Sequence, residues 1–217
     1  MVISEELRVI LYPLGFISTI AFTLRFIIQW LESEKAKRST VSLSFWWMSL
    51  FGNLSLLIHS IIQGQYFVCL VQGINAVISV RNINLMHKKH WTLRTVIFLH
   101  LSTIFFITGF FLLQEEWFRV PLHLFQTHKI QVSLGWNLVG FLGVVLFASR
   151  FWIQWISAEH SHHSSLELPF WWLSVIGATL SSLYFAFIQD YINLIGPLFG
   201  LIPYCRNLFL MRSVHAK

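Results

Sequence analysis

Seven stretches of this chain, near 9–31, 41–62, 66–86, 93–113, 135–156, 167–188 and 191–211, stay apolar for about the length of a bilayer crossing. A helix rises about 1.5 Å per residue, so roughly 20 residues cross a hydrocarbon core. In hydrocarbon the backbone must satisfy its own polar groups, and a helix does so within one segment. Composition agrees: 56% of the 217 residues are hydrophobic, 11% are charged, and mean hydropathy is +0.66. The expected fold class is all-α, a polytopic membrane protein with seven transmembrane helices.

The start, MVISEELR, is acidic and has no small-residue cleavage site, so the first apolar segment is expected to be retained rather than removed as a signal peptide. Cys69 and Cys205 fall in apolar segments and do not suggest a disulfide framework or a metal site. Lys35, Lys37, Arg38, Lys88, Lys89, Arg94, Arg212 and Lys217 gather on one side of the predicted topology, against Arg8, Arg119 and Lys129 on the other. Short basic connections stay in the cytoplasm, which places the N-terminus outside and the C-terminus inside. The net charge of +6 then reflects a basic cytoplasmic face toward anionic membrane lipids, and nucleic acid need not be invoked.

Sliding the chain against itself exposes a duplication. Residues 14–86 align without gaps on 139–211 at an offset of about 125, with roughly twenty identical pairs. They include Gly15/Gly140, Arg25/Arg150, Gln29/Gln154, Trp30/Trp155, Glu34/Glu159, Ser39/Ser164, Gly52/Gly177, Arg81/Arg206 and Asn82/Asn207. The expected organisation is a three-helix repeat over 9–86, a linker with a fourth transmembrane helix over 87–134, and a second repeat over 135–211. The odd linker helix restores direction, so the repeats run parallel, and a binding site is expected where such halves face each other.

The runs RFIIQW, FWWMSLFG and VRN, with their echoes RFWIQW, FWWLSVIG and CRN, resemble the N-terminal domain family of lipid-A-disaccharide synthase. That family is similar to the PQ-loop, SWEET and KDEL-receptor group of three-helix-repeat membrane proteins, and the 3+1+3 layout resembles a SWEET. Gln29 and Gln154 stand here without the proline that precedes the glutamine in that group, which argues against free-sugar transport. The resemblance implies lipid A biosynthesis in a bacterial inner membrane, with a phosphorylated lipid or lipid-linked sugar as ligand and a glycosyltransferase as partner. The longest stretch outside the predicted helices is about twenty residues, too short for a nucleotide-sugar transferase domain. The chain is therefore expected not to be catalytic alone and to need no cofactor.

Four arginines lie inside apolar segments: Arg25, Arg81, Arg150 and Arg206. With the first helix ending near residue 31, Glu34 and Glu159 fall beyond the helix ends, and no internal carboxylate partner is evident. Guanidinium groups lacking counter-ions suit a ligand that brings phosphate. The expected ligand set is Arg25, Gln29, Arg81, Asn82, Arg150, Gln154, Arg206 and Asn207, with Gln72, Asn75 and Ser79 as a further polar stripe on the third helix. The equivalents of Gln72, Asn75 and Ser79 in the second copy are Pro197, Gly200 and Tyr204, and Gly196 with Gly200 forms a GxxxG spacing that predicts a bend or a close helix approach. Trp46, Trp47, Trp171 and Trp172 read as anchors at the headgroup level. His160, His162 and His163 replace Lys35, Lys37 and Arg38 of the first copy, so they read as a polar loop rather than a metal site.

The leading reading is a membrane module that binds a phosphorylated lipid intermediate for presentation to a transferase or for translocation. The alternatives are a SWEET-like transporter of a small solute and direct participation in disaccharide synthesis.

Overall fold

The computed structural model describes residues 5–88, 91–113, 133–188 and 191–215, and these are helical with short connections. The helices are α1 (Glu5–Leu11), α2 (Leu14–Ala36), α3 (Leu43–Ile62), α4 (Tyr66–Met86), α5 (Leu93–Leu112), α6 (Leu134–Ser161), α7 (Leu168–Phe187) and α8 (Tyr191–His215). Among the described residues seven segments are long and apolar enough to cross a membrane, α1 and α2 together supplying the first. The protein is an all-α, multi-pass membrane protein. Lys89, Arg119, Lys129 and Lys217, which enter the orientation argument, lie outside the described residues, as does most of the connection after α5.

Local chemistry sets the helix ends. The hydroxyl of Thr92 accepts from the Thr95 amide and that of Ser133 from the Trp136 amide, each supplying an acceptor to an otherwise unpaired N–H. At the end of α2, Lys37 turns left-handed at φ 54° and the amide of Arg38 donates to the carbonyl of Ser33 at 3.3 Å, a Schellman-type stop. The equivalent residue after α6, His162, adopts the same conformation at φ 55°. Both first helices of the repeats thus run past their apolar stretches: α2 reaches Ala36 rather than 31, and α6 reaches Ser161 rather than 156. This brings Glu34 and Glu159 inside the helices.

The chain forms two compact units, one from the described parts of 1–25 and 43–122, the other from those of 26–42 and 123–217. In the first, α3 packs on α4 and α4 on α5. Cys69, Ile107 and Phe111 form a core there, and the Tyr66 hydroxyl lies 2.9 Å from that of Thr108. In the second, α6 packs on α7 and α7 on α8. A Cβ on Gly143 would come within 2.7 Å of the Ser181 amide nitrogen, and one on Gly177 within 2.7 Å of that of Phe147. These glycines let α6 and α7 approach backbone to backbone, as small residues do between membrane helices. The GxxxG pair in α8 does not play that part: a Cβ on Gly196 would meet nothing within 4 Å among the described residues. The helix α8 runs unbroken through Pro197 and Pro203.

Candidate functional site

In the first unit Arg25, one turn before Gln29 on α2, is 5% exposed. Its Nη1 donates to the Ser49 hydroxyl on α3 at 2.9 Å, and its guanidinium lies 4.5 Å from the Phe22 ring centroid and 5.4 Å from that of Phe45. Arg81, 3% exposed, donates from Nη1 to Asn84 one turn on at 3.0 Å. Asn82 is fully buried and donates to the Ile78 carbonyl. Of the polar stripe, Ser79 accepts from Asn53 at 3.3 Å and donates to the Asn75 carbonyl at 2.8 Å. The side-chain oxygens of Gln72 and Asn75 are buried and find no hydrogen-bond donor among the described residues.

In the second unit Arg150 is 2% exposed and sits in an aromatic cage. The rings of Phe147, Phe151, Phe26, Tyr204 and Phe170 lie 3.5, 4.9, 5.3, 5.3 and 5.6 Å from its guanidinium carbon, and Nη1 donates to the Ser174 hydroxyl at 3.4 Å. Ring faces are electron-rich, so they stabilise a desolvated cation by about 2 kcal/mol or more. Phe22/Phe147, Phe26/Phe151, Phe45/Phe170 and Ser49/Ser174 are all identities of the internal repeat. That pattern is the sequence signal that could have marked the cage.

The buried amides meet as a pair. Gln29 Nε2 donates to Asn207 Oδ1 at 2.9 Å, and Asn207 Nδ2 donates back to Gln29 Oε1 at 3.2 Å. Gln29 also braces the turn after α2 through the Thr40 carbonyl at 3.1 Å, and Gln154 repeats the motif on Ser165 at 3.3 Å.

The expected absence of carboxylate partners is overturned at Arg206. Its Nε and Nη2 engage the two oxygens of Glu34, with Nη2 2.9 Å from Oε2. The Trp30 indole donates to the same carboxylate at 3.3 Å, and Trp155 donates to Glu159 at 2.9 Å in the second copy. The reason is geometric: α2 stays helical to Ala36, which carries Glu34 four residues past Trp30 on the same face. Arg206 is 36% exposed, and it is the one among the four membrane arginines that is not buried.

Two of the four tryptophans have no outward-facing surface. Trp46 and Trp171 are fully enclosed by protein, and the Trp171 indole donates to the Ser39 hydroxyl and the Leu166 carbonyl, both at 3.1 Å. Trp47 faces outward, as an anchor must. Trp172 is half-buried.

Residues 14–84 and again 139–209 match the family model described as Lipid A Biosynthesis N-terminal domain. The chain belongs to that family. It is 35% identical over 208 residues to a protein of Chlamydia felis named lipid-A-disaccharide synthase, covering 93% of this chain and 33% of the relative. The similarly named protein of Chlamydia pneumoniae is 34% identical over 209 residues, covering 96% of this chain and 34% of the relative. This chain spans about a third of the length of the curated relatives it matches. No solved structure matches it.

Proposed function

We propose that the chain is a membrane-embedded module of lipid A biosynthesis that holds a phosphorylated lipid intermediate, for presentation to a glycosyltransferase or for passage across the membrane. The observation that carries this reading is the correspondence of nearly the whole chain to one third of proteins named lipid-A-disaccharide synthase. A multi-helix membrane segment matching that portion is suited to gathering a lipid substrate, because its surroundings already dissolve the acyl chains. The site draws on the polar residues shared by the repeats. Gln29, Asn207 and Gln154 orient the sugar head, and Arg206 meets phosphate at the surface. Arg150, bonded to Ser174 of the next helix, holds α6 and α7 in register and supplies positive potential from within. The proposed setting is a bacterial inner membrane, with the N-terminus outside and the C-terminus in the cytoplasm.

A second reading, a carrier of a small polyhydroxylated solute, is favoured by the orphaned buried oxygens of Gln72 and Asn75, which would accept from sugar hydroxyls. Mass spectrometry of lipids retained by the detergent-purified chain separates the two. The lipid reading expects a phosphorylated glycolipid that is depleted by Arg206→Gln. A preparation free of phosphorylated lipid, with solute flux in vesicles, would support the carrier. Disaccharide formation by the purified chain alone, given a nucleotide-linked lipid sugar and its acceptor, would instead make it an enzyme in its own right.

A further inference from the structure

Three donors converge on one carboxylate near the end of α2. Arg206 offers Nε and Nη2 to the two oxygens of Glu34, and Trp30 offers its indole N–H to Oε1. A guanidinium fork fits the paired oxygens of a carboxylate and those of a phosphate equally well. The carboxylate is only partly covered, with Glu34 29% exposed beside Arg206 at 36%. Exposed Lys35, Lys37 and Arg38 follow directly in the chain, their turn fixed by the left-handed Lys37. A pair this exposed is open to exchange with another anion from solvent or headgroups, and a phosphate monoester brings up to two charges where the carboxylate brings one. Arg150 offers no such exchange, since its cage leaves it 2% exposed.

We propose that the Glu34 carboxylate stands in for a phosphate: Arg206 and Trp30 form a binding pocket for the phosphate group of a lipid head or of free phosphate, and Glu34 competes with that group for their donors. The inference rests on the reading of the chain as a holder of phosphorylated lipid, and names where the phosphate sits.

The test uses the full chain in nanodiscs doped with phosphatidic acid or with phosphatidylcholine, bound lipid being counted by native mass spectrometry. Glu34→Gln removes the competitor and should raise retention of phosphatidic acid by about fivefold, the factor matching the upper end for an exposed pair. Arg206→Gln should reduce it to the phosphatidylcholine level, and Arg206→Lys, which keeps the charge and loses the fork, should fall between. Trp30→Phe in the Glu34→Gln background should lower retention without any change of charge. It also guards against a misfolded single variant, folding being checked by size exclusion and circular dichroism. Inorganic phosphate added to Glu34→Gln distinguishes the sources: displacement of the lipid assigns the pocket to free phosphate, and its failure to displace assigns it to a lipid head. If Glu34→Gln folds and its retention is unchanged or lower, the pair is a structural clasp and the proposal falls. The proposed function fails separately. A co-purifying phosphorylated glycolipid insensitive to both residues would keep the function and remove this pocket, whereas phosphatidic acid capture by Glu34→Gln without any such glycolipid would do the reverse.

Discussion

Arg25 and Arg150 occupy equivalent positions and touch equivalent residues, yet they are held differently. Arg25 lies 4.5 Å from the Phe22 ring and donates to Ser49 at 2.9 Å, whereas Arg150 lies 3.5 Å from the Phe147 ring and 3.4 Å from Ser174. The first arginine leans on a hydroxyl, the second on a ring. The glycines explain the exchange. A Cβ on Gly177 would strike the Phe147 backbone nitrogen at 2.7 Å, while one on Gly52 would strike the Phe22 ring at 2.5 Å. Where α6 and α7 touch backbone to backbone, no space remains between them for a ring, and Phe147 lies beneath the guanidinium. In the first copy the Phe22 ring fills the notch at Gly52 instead and stays farther from Arg25. One duplicated motif therefore keeps a charge out of water in two ways, and the choice is set by how closely two helices pack.

The largest expected break of this comparison comes at the glycines. Gly177→Ala must push apart two backbones and should destabilise the fold by about 3 kcal/mol, the upper range for overpacking. Gly52→Ala need only turn the Phe22 ring and should cost about 1 kcal/mol. Thermal unfolding of the two variants in the same detergent checks the order, and equal losses would mean that the packing difference does not govern the pair.

The rings come next. Phe147→Leu removes the closest face from a fully desolvated cation and should cost about 2 kcal/mol, against about 1 kcal/mol for Phe22→Leu, whose ring stands farther off. The contrast sharpens with Arg150→Met, which removes the charge needing the ring: in that background the cost of Phe147→Leu should shrink by the cation–π part. An unchanged cost would assign the ring to plain packing.

Much of this was legible in the sequence, and the part that was not has a physical cause. Apolar length placed the seven spans, and the self-alignment paired Arg25 with Arg150 and Gln29 with Gln154, because both signals are local or fixed in offset. Hydropathy places the end of α2 about five residues early, since it falls at Glu32, Glu34 and Lys35 although these residues are good helix formers. Hydropathy therefore does not reveal the partner of Arg206, whose side chain reaches Glu34 across 172 positions of sequence. The amide pair Gln29–Asn207, separated by 178 positions, was equally out of reach of spacing arguments. Tryptophan at a helix start reads as an interfacial anchor, but Trp46 and Trp171 are enclosed, and only their neighbours one position on keep any outward face. The cage phenylalanines are identities of the repeat, but a ring holding a cation and a ring facing hydrocarbon have the same hydropathy, so the cage itself has no signature in hydropathy.

The smallest expected effect lies in the hydroxyls, and it runs opposite to that of the rings. Ser49 and Ser174 each donate to the carbonyl four residues back at 2.7 Å, on Phe45 and Phe170 respectively, so alanine at either position loses that bond alike and the loss cancels between copies. What differs is the bond accepted from arginine, 2.9 Å at Ser49 and 3.4 Å at Ser174. A hydrogen bond to a charged group contributes about 1.5 kcal/mol or more when well formed and weakens steeply with distance. Ser49→Ala should therefore exceed Ser174→Ala by about 1 kcal/mol, with the larger loss in the copy where the ring substitution does less. Thermal unfolding of the pair measures it, with threonine at both positions as the control that keeps the hydroxyl. If Ser174→Ala matched or exceeded Ser49→Ala, the two arginines would share one mode of support, and the packing of α6 on α7 would lose its role in dividing them.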